Sequence, residues 1–364
     1  MDLVSQLRRL PKAELHLHLD GAVRLATAIE LARDDGLRLL DEEVKRRMVG
    51  PAACLNQAEL LTFFDLPISL LQSEASLSRV AGELVEDLAV EHVRYAEIRW
   101  APRLHLERGL SVDEVIGAVA SGIARAAGAI RSPVEVGLIV TAMRSHPPAA
   151  NVELAHRAAA FGPPVVGFDL AGPEAAYPAP PHAAAFFAAA DGGLQLTAHA
   201  GEVRGPERIR EVLDLGVSRI AHGATSADDP ALVDEIRARG VTLDLCPTSN
   251  VQAALVQSLA AMPVAVLHRA GVSVTISTDD PTVSSTSLSR ELADTARAQN
   301  LSAAELADIA VNAFGRGFGP IHRRRPLEVK ARQAWQEWAA ANPSLTGSAT
   351  AADSKPPMDR QQSR

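Results

Sequence analysis

The 364-residue chain contains two cysteines, Cys54 and Cys246. They are too few and too far apart for a disulfide framework or a cysteine zinc site, and such sparse use suits a reducing cytoplasm. No run of about 18 apolar residues occurs, so no membrane-spanning helix is expected. The opening MDLVSQLRRLPK lacks the apolar centre of a signal peptide, and the expected location is cytoplasmic. Positive charge is also in short supply: 36 Lys and Arg against 44 Asp and Glu give a formal net charge of −8, which argues against a nucleic-acid partner. The one dense basic run, His322-Arg323-Arg324-Arg325 before Pro326, reads as a solvated turn. Aromatic residues make up only 4%, so the core must come from the Ala, Val, Leu and Ile that dominate the 47% hydrophobic fraction.

What the chain does have is a recurring pattern of short apolar strands separated by helical periodicity. Eight strand candidates appear: 13–19, 93–100, 134–140, 165–171, 194–200, 219–223, 241–246 and 274–278. Helical segments such as 111–127, 206–216 and 229–240 lie between them. Ser111 with Glu114 has the form of a capping box, and Gly216 and Gly240 stand where helix C-termini favour a left-handed residue. Eight alternating units predict a parallel (β/α)8 TIM barrel, an α/β fold, with a doubly wound open sheet as the alternative. One domain over 1–341 is expected, with a helical insertion over the barrel mouth at 21–92 and a disordered tail at 342–364. In the insertion, Leu60, Leu61 and Phe64 recur at helical spacing in a very apolar stretch; they read as core packing or as a candidate lid.

The stretch Glu14-Leu15-His16-Leu17-His18-Leu19-Asp20 alternates leucine with acid or histidine. On an exposed edge strand this would put one face in water. A barrel strand is buried on both faces, so the polar residues are expected to point inward. Two imidazoles two residues apart can then meet one metal ion. His199, His222, Asp279 and Asp280 end the fifth, sixth and eighth strand candidates, at the face where barrel active sites form. Three neutral imidazoles and one carboxylate around a divalent ion, with a place left for water, make a catalytic arrangement. Zinc is the first choice for imidazole ligands, although iron, cobalt or nickel would also fit.

In order along the chain, HLHLDG (16–21), YAEIRWAP (95–102), DLAGPE (169–174), TAHAGE (197–202), RIAHG (219–223), CPTSN (246–250), STDDP (277–281) and NAF (312–314) resemble the adenosine deaminase branch of the metal-dependent amidohydrolases. The resemblance covers roughly residues 10 to 340. It implies that His16, His18, His199 and Asp279 hold one Zn2+ per subunit, while His222 orients the attacking water. It further implies that Glu202 protonates purine N1, that Asp280 bonds N7, that the Gly172 N–H bonds N3, and that Asp20 meets the ribose 5′-hydroxyl, with His18 also beside the substrate. Gly317-Phe318 departs from an expected Ser-Phe, which concerns packing. The fourth strand has no lysine to bridge a second metal, so one ion is expected.

The implied activity is hydrolytic deamination of adenosine and 2′-deoxyadenosine to inosine and 2′-deoxyinosine, a reaction of purine salvage. Adenine and aminodeoxyfutalosine remain alternative 6-aminopurine substrates. An amide or phosphoester hydrolase on the same barrel is a further alternative, and so is a non-catalytic nucleoside-binding barrel. The expected partner is a small-molecule purine nucleoside, with no nucleic acid and no membrane. Nothing in the sequence fixes an oligomeric state.

Overall fold

The computed structural model describes residues 1–130, 134–343 and 345. Eight strands run in sequence order around one sheet: β1 (Lys12–His18), β2 (Val93–Trp100), β3 (Glu135–Met143), β4 (Val165–Ala171), β5 (Gln195–Ala200), β6 (Arg219–His222), β7 (Thr242–Leu245) and β8 (Ser273–Ile276). All adjacent pairs are parallel. The ring closes where Leu17 pairs with Asp279: His18 N–H donates to Asp279 O at 2.8 Å, and Asp279 N–H to His16 O at 3.0 Å. This is the expected (β/α)8 barrel, and it rules out the open sheet. Because helices cover the outside and side chains fill the inside, β1 is buried from Lys12 through Leu17 rather than alternating with water.

The local signals act as their chemistry suggests. Ser111 caps helix Val112–Ala129, its Oγ accepting from Glu114 N–H while Glu114 Oε2 accepts from Ser111 N–H. Gly216 and Gly240 both take positive φ, at 79° and 68°. Between β1 and β2 lie helices Leu25–Asp34, Asp41–Met48, Gln57–Leu61, Asp65–Leu70 and Glu74–Val90. The last packs beside Val112–Ala129 in the outer helical ring.

Two expectations need correction. First, Glu14 does not point inward with His16 and His18. The β1–β2 register shifts between Glu14 and Leu17, and both residues line a cavity of ≈ 230 Å³ against Leu84, Leu88 and Leu288 of the outer helices. There Glu14 accepts from the Thr278 N–H at 2.9 Å and from the Thr278 hydroxyl. A bulge that adds a residue breaks strict alternation. Second, residues 322–325 are not a turn: they open helix Ile321–Ala341, which carries Pro326 within it. Arg324 is buried, with Nε donating to Gly319 O at 2.7 Å and Nη1 to Phe314 O. Arg323 pairs with Glu135 at 3.0 Å. Pro326 is the sixth residue of this helix, past the first turn, so it lacks the N–H that would bond the His322 carbonyl, yet the helix runs on through it. Of the stretch expected to form a tail, 342–364, all but 342, 343 and 345 lie outside the described residues. Among the described residues no helix is long and apolar enough to cross a membrane.

Candidate active site

The C-terminal ends of β1, β5 and β6 and the turn after β8 bring His16, His18, His199, His222 and Asp279 together. The Nε2 atoms of His16 and His18 are 3.3 Å apart, and those of His18 and His199 are 3.2 Å apart. Asp279 Oδ1 lies 2.9 Å from His16 Nε2 and 3.3 Å from His18 Nε2. The His222 ring centroid is 4.8 Å from that of His16, and its Nε2 is 3.6 Å from Asp279 Oδ2. His222 and Asp279 both adopt left-handed backbone, with φ of 69° and 64°. Non-glycine residues pay for that conformation, and here it turns both side chains toward the cluster.

Hydrogen bonds separate the histidines by role. His199 Nδ1 lies 3.1 Å from Asp169 Oδ2, so the ring proton sits there and Nε2 presents its lone pair. Burial takes His18 down to about 3 and His16 well below the ordinary imidazole value, keeping both neutral. Burial alone would raise Asp279, but His16, His222 and His18 outweigh it and hold the carboxylate well below its usual range. Ser249 Oγ adds a 2.7 Å bond to Asp279 Oδ2. These ring nitrogens and the carboxylate oxygen crowd toward one point, where a cation would be attracted by all of them at once. The donor set therefore fits a divalent ion that favours nitrogen and oxygen ligands. His222 differs: Asn250 Nδ2 donates to its Nδ1 at 3.2 Å, leaving the proton of a neutral ring on Nε2. Nearness alone groups His222 with His16, His199 and Asp279, whereas a protonated Nε2 acts as a donor and not a ligand.

The cluster forms the floor of a cavity of ≈ 280 Å³. Asp20, Glu202, Asp280 and Gly172 line it, and Leu60, Leu61, Phe64, Ile68 and Leu104 supply an apolar wall. Four buried polar atoms of its lining have no partner among the described residues: Asp20 Oδ1, Glu202 Oε2, His222 Nε2 and Asp280 Oδ1. Buried polar groups are nearly always paired, so such a set marks a place for a polar ligand. Burial, with Asp279, Asp20 and Glu202 nearby, raises Asp280 well above the usual carboxyl value. Burial likewise brings Asp20 to about 6. A Cβ on Gly21 would lie 1.9 Å from Asp280 Oδ1, so the absence of a side chain at 21 is what makes room for that carboxyl.

The profile of the adenosine deaminase family matches residues 11–332. The chain belongs to the adenosine deaminase family. Among similar relatives is the adenosine deaminase of Clostridium perfringens, 36% identical over 328 residues that cover 89% of this chain and 98% of the relative. Among solved structures, the adenine deaminase of Arthrobacter aurescens is 27% identical with a TM-score of 0.83, covering 91% of this chain and 99% of that one. The N6-methyl-AMP deaminase of Arabidopsis thaliana is 28% identical with a TM-score of 0.82, covering 92% and 99%. The protein is thus a deaminase of adenosine-like purines. The spread of substrates among these similar folds leaves the choice of base, nucleoside or nucleotide to the cavity itself.

The adenosine deaminase motifs carry several residues to which sequence reasoning gave no role. Asp169 fixes His199, Ser249 holds Asp279, Asn250 sets the His222 proton, and Glu174 contacts the backbone at Glu202. Asp169, Glu174, Ser249 and Asn250 all fall inside quoted motifs, which was the available signal. Two histidines outside the motifs bond backbone carbonyls instead: His105 Nδ1 meets Leu71 O at 2.9 Å, and His182 Nε2 donates to Arg144 O at 3.2 Å.

Proposed function

We propose that the protein is a zinc-dependent deaminase of adenosine and 2′-deoxyadenosine, one ion per subunit, yielding inosine or 2′-deoxyinosine and ammonia in cytoplasmic purine salvage. The observation that carries this reading is one cavity in which four unpartnered buried polar atoms surround the imidazole cluster. His16, His18, His199 and Asp279 would hold the ion. When bound, such an ion supplies a water molecule that ionises near neutral pH.

The chain's own groups then divide the work. Glu202 in its acid form donates a proton to N1, which removes aromatic character across N1–C6 and opens C6 to addition of water. His222, with Nε2 3.4 Å from Glu202 Oε1, holds that water beside C6. Of the two protons of the water, one restores Glu202 and the other leaves with the amino group as ammonia. Burial among acids favours the protonated form of Asp280, which would donate a hydrogen bond to N7. The Gly172 N–H meets N3. Asp20 accepts from the 5′-hydroxyl, while Leu60, Leu61 and Phe64 cover the purine and keep out water.

Charge favours a nucleoside over a nucleotide. Asp20 and Asp65 line the cavity, and no lysine or arginine of the described residues does. A 5′-phosphate beside Asp20 would lie against like charge, which costs several kcal/mol, so kcat/KM for AMP should fall at least ~10³-fold below that for adenosine. Loss of absorbance at 265 nm under matched conditions reads both rates. AMP turnover within tenfold of adenosine would contradict the nucleoside assignment.

A further inference from the structure

The carboxylate of Glu174, in the turn after β4, is fully buried and accepts three consecutive backbone N–H groups from a segment 27 residues away. Gly201 N–H donates to Oε1 at 2.9 Å, while Glu202 and Val203 N–H donate to Oε2 at 2.8 and 3.2 Å. Successive amides made to converge by a left-handed residue, here Gly201 at φ 81°, form a concave anion site. The chain fills it with its own side chain. A cation grips the same segment from its other end: Arg144 Nη2 donates to His199 O at 2.6 Å and Nη1 to Tyr177 O at 3.0 Å. His199 and Ala200 are still paired with β6, whereas the backbone of 201–203 beyond the strand is held by one anion on its amides, next to the cation on the His199 carbonyl. Helical or sheet bonds would be the ordinary means of holding it, yet β5 ends at Ala200 and the next helix starts at Glu207.

We propose that Glu174 is a positioning residue for the proton transfer: by clamping the amides of 201–203 it fixes the direction in which Glu202 enters the cavity. The inference rests on Glu202 being the proton donor to N1. Glu202 Oε2 has no other group among the described residues to orient it, and its Oε1 makes only the 3.4 Å approach to His222. Its aim is set by its backbone. Misplacing a reacting group by about 1 Å can cost ~10²-fold in rate.

The test compares E174Q, E174D and E202Q with the wild-type metalloprotein. Glutamine keeps the size of Glu174 but turns an N–H2 toward at least one of the three N–H donors. E174D retains the charge and withdraws it from the amides. For E174Q we expect kcat to fall about tenfold or more, with the KM for adenosine within about threefold. Metal content and cooperative thermal unfolding should be unchanged, and amide exchange should accelerate in 201–203. E174D should fall in kcat as well, since it is reach and not charge that fails. E174Q with kcat within twofold of wild type, alongside an inactive E202Q, would overturn the role of Glu174 and leave that of Glu202 standing. Activity lost from E174Q only together with its metal or its cooperative transition would assign Glu174 to the fold and equally overturn the proposal. An active E202Q would instead remove the reading on which the proposal rests.

Discussion

Glu202→Gln is expected to retain its metal and lose about 10²–10⁴-fold in kcat for adenosine, the range that a positioned proton donor contributes. The reason is chemical: adenine rings resist addition at C6 until N1 is protonated, and glutamine matches the carboxyl in shape without a proton to give. Glu202 is suited to the task because its Oε2 is buried, faces the cavity and has no partner among the described residues. Its 3.4 Å approach to His222 would couple the proposed proton donor to the group proposed to hold the water. Metal analysis on the same sample separates this effect from loss of the ion. Near wild-type turnover with metal bound would remove Glu202 from the chemistry.

Asp279→Ala is expected to lose both the metal and the reaction. Asp279 contacts both His16 and His18, and His222 and Ser249 also approach it. Removing it leaves buried, neutral imidazoles without the anion that offsets the charge of a divalent ion. Substitution of an outer-shell partner commonly costs 10–100-fold in metal affinity, so removal of a ligand should cost about 10²-fold or more. Ser249→Ala offers the graded comparison, weaker in metal affinity yet still active when zinc is in excess. Zinc titration followed by deaminase rate distinguishes the two. An Asp279→Ala protein that keeps stoichiometric zinc would show that the ligands lie elsewhere.

Much of this arrangement was readable in the chain itself, for physical reasons. Strands buried on both faces produce short apolar runs, and the eight candidates coincide with β1–β8 to within a few residues at each end. Residues at the C-terminal ends of barrel strands share one mouth, so His16, His199, His222 and Asp279 could be grouped before their distances were known. The reading failed where contacts skip along the chain. Strict alternation placed Glu14 beside His16, but the register shift before Leu17 turns it to the outer layer, where Thr278 satisfies it. The proposed choice of His18 over His222 as ligand also lay outside spacing, since it draws on the contact of Asn250 with His222 Nδ1. Glu174 was invisible as a clamp because its donors belong to a loop 27 residues away. Arg323 to Arg325 misled because a basic run before a proline reads as a turn, whereas here the helix continues through Pro326.

The assignment as a nucleoside deaminase rests most directly on whether the protein needs the sugar. Ammonia release should be measured from adenosine, 2′-deoxyadenosine and adenine at equal concentration, on protein whose zinc has been quantified. Asp20, buried at the cavity wall with Oδ1 unpartnered among the described residues, should draw binding energy from the 5′-hydroxyl that adenine lacks. The account predicts turnover of both nucleosides, with adenine slower by ~10²-fold or more in kcat/KM. Adenine turned over faster than adenosine by the zinc-loaded protein would contradict it.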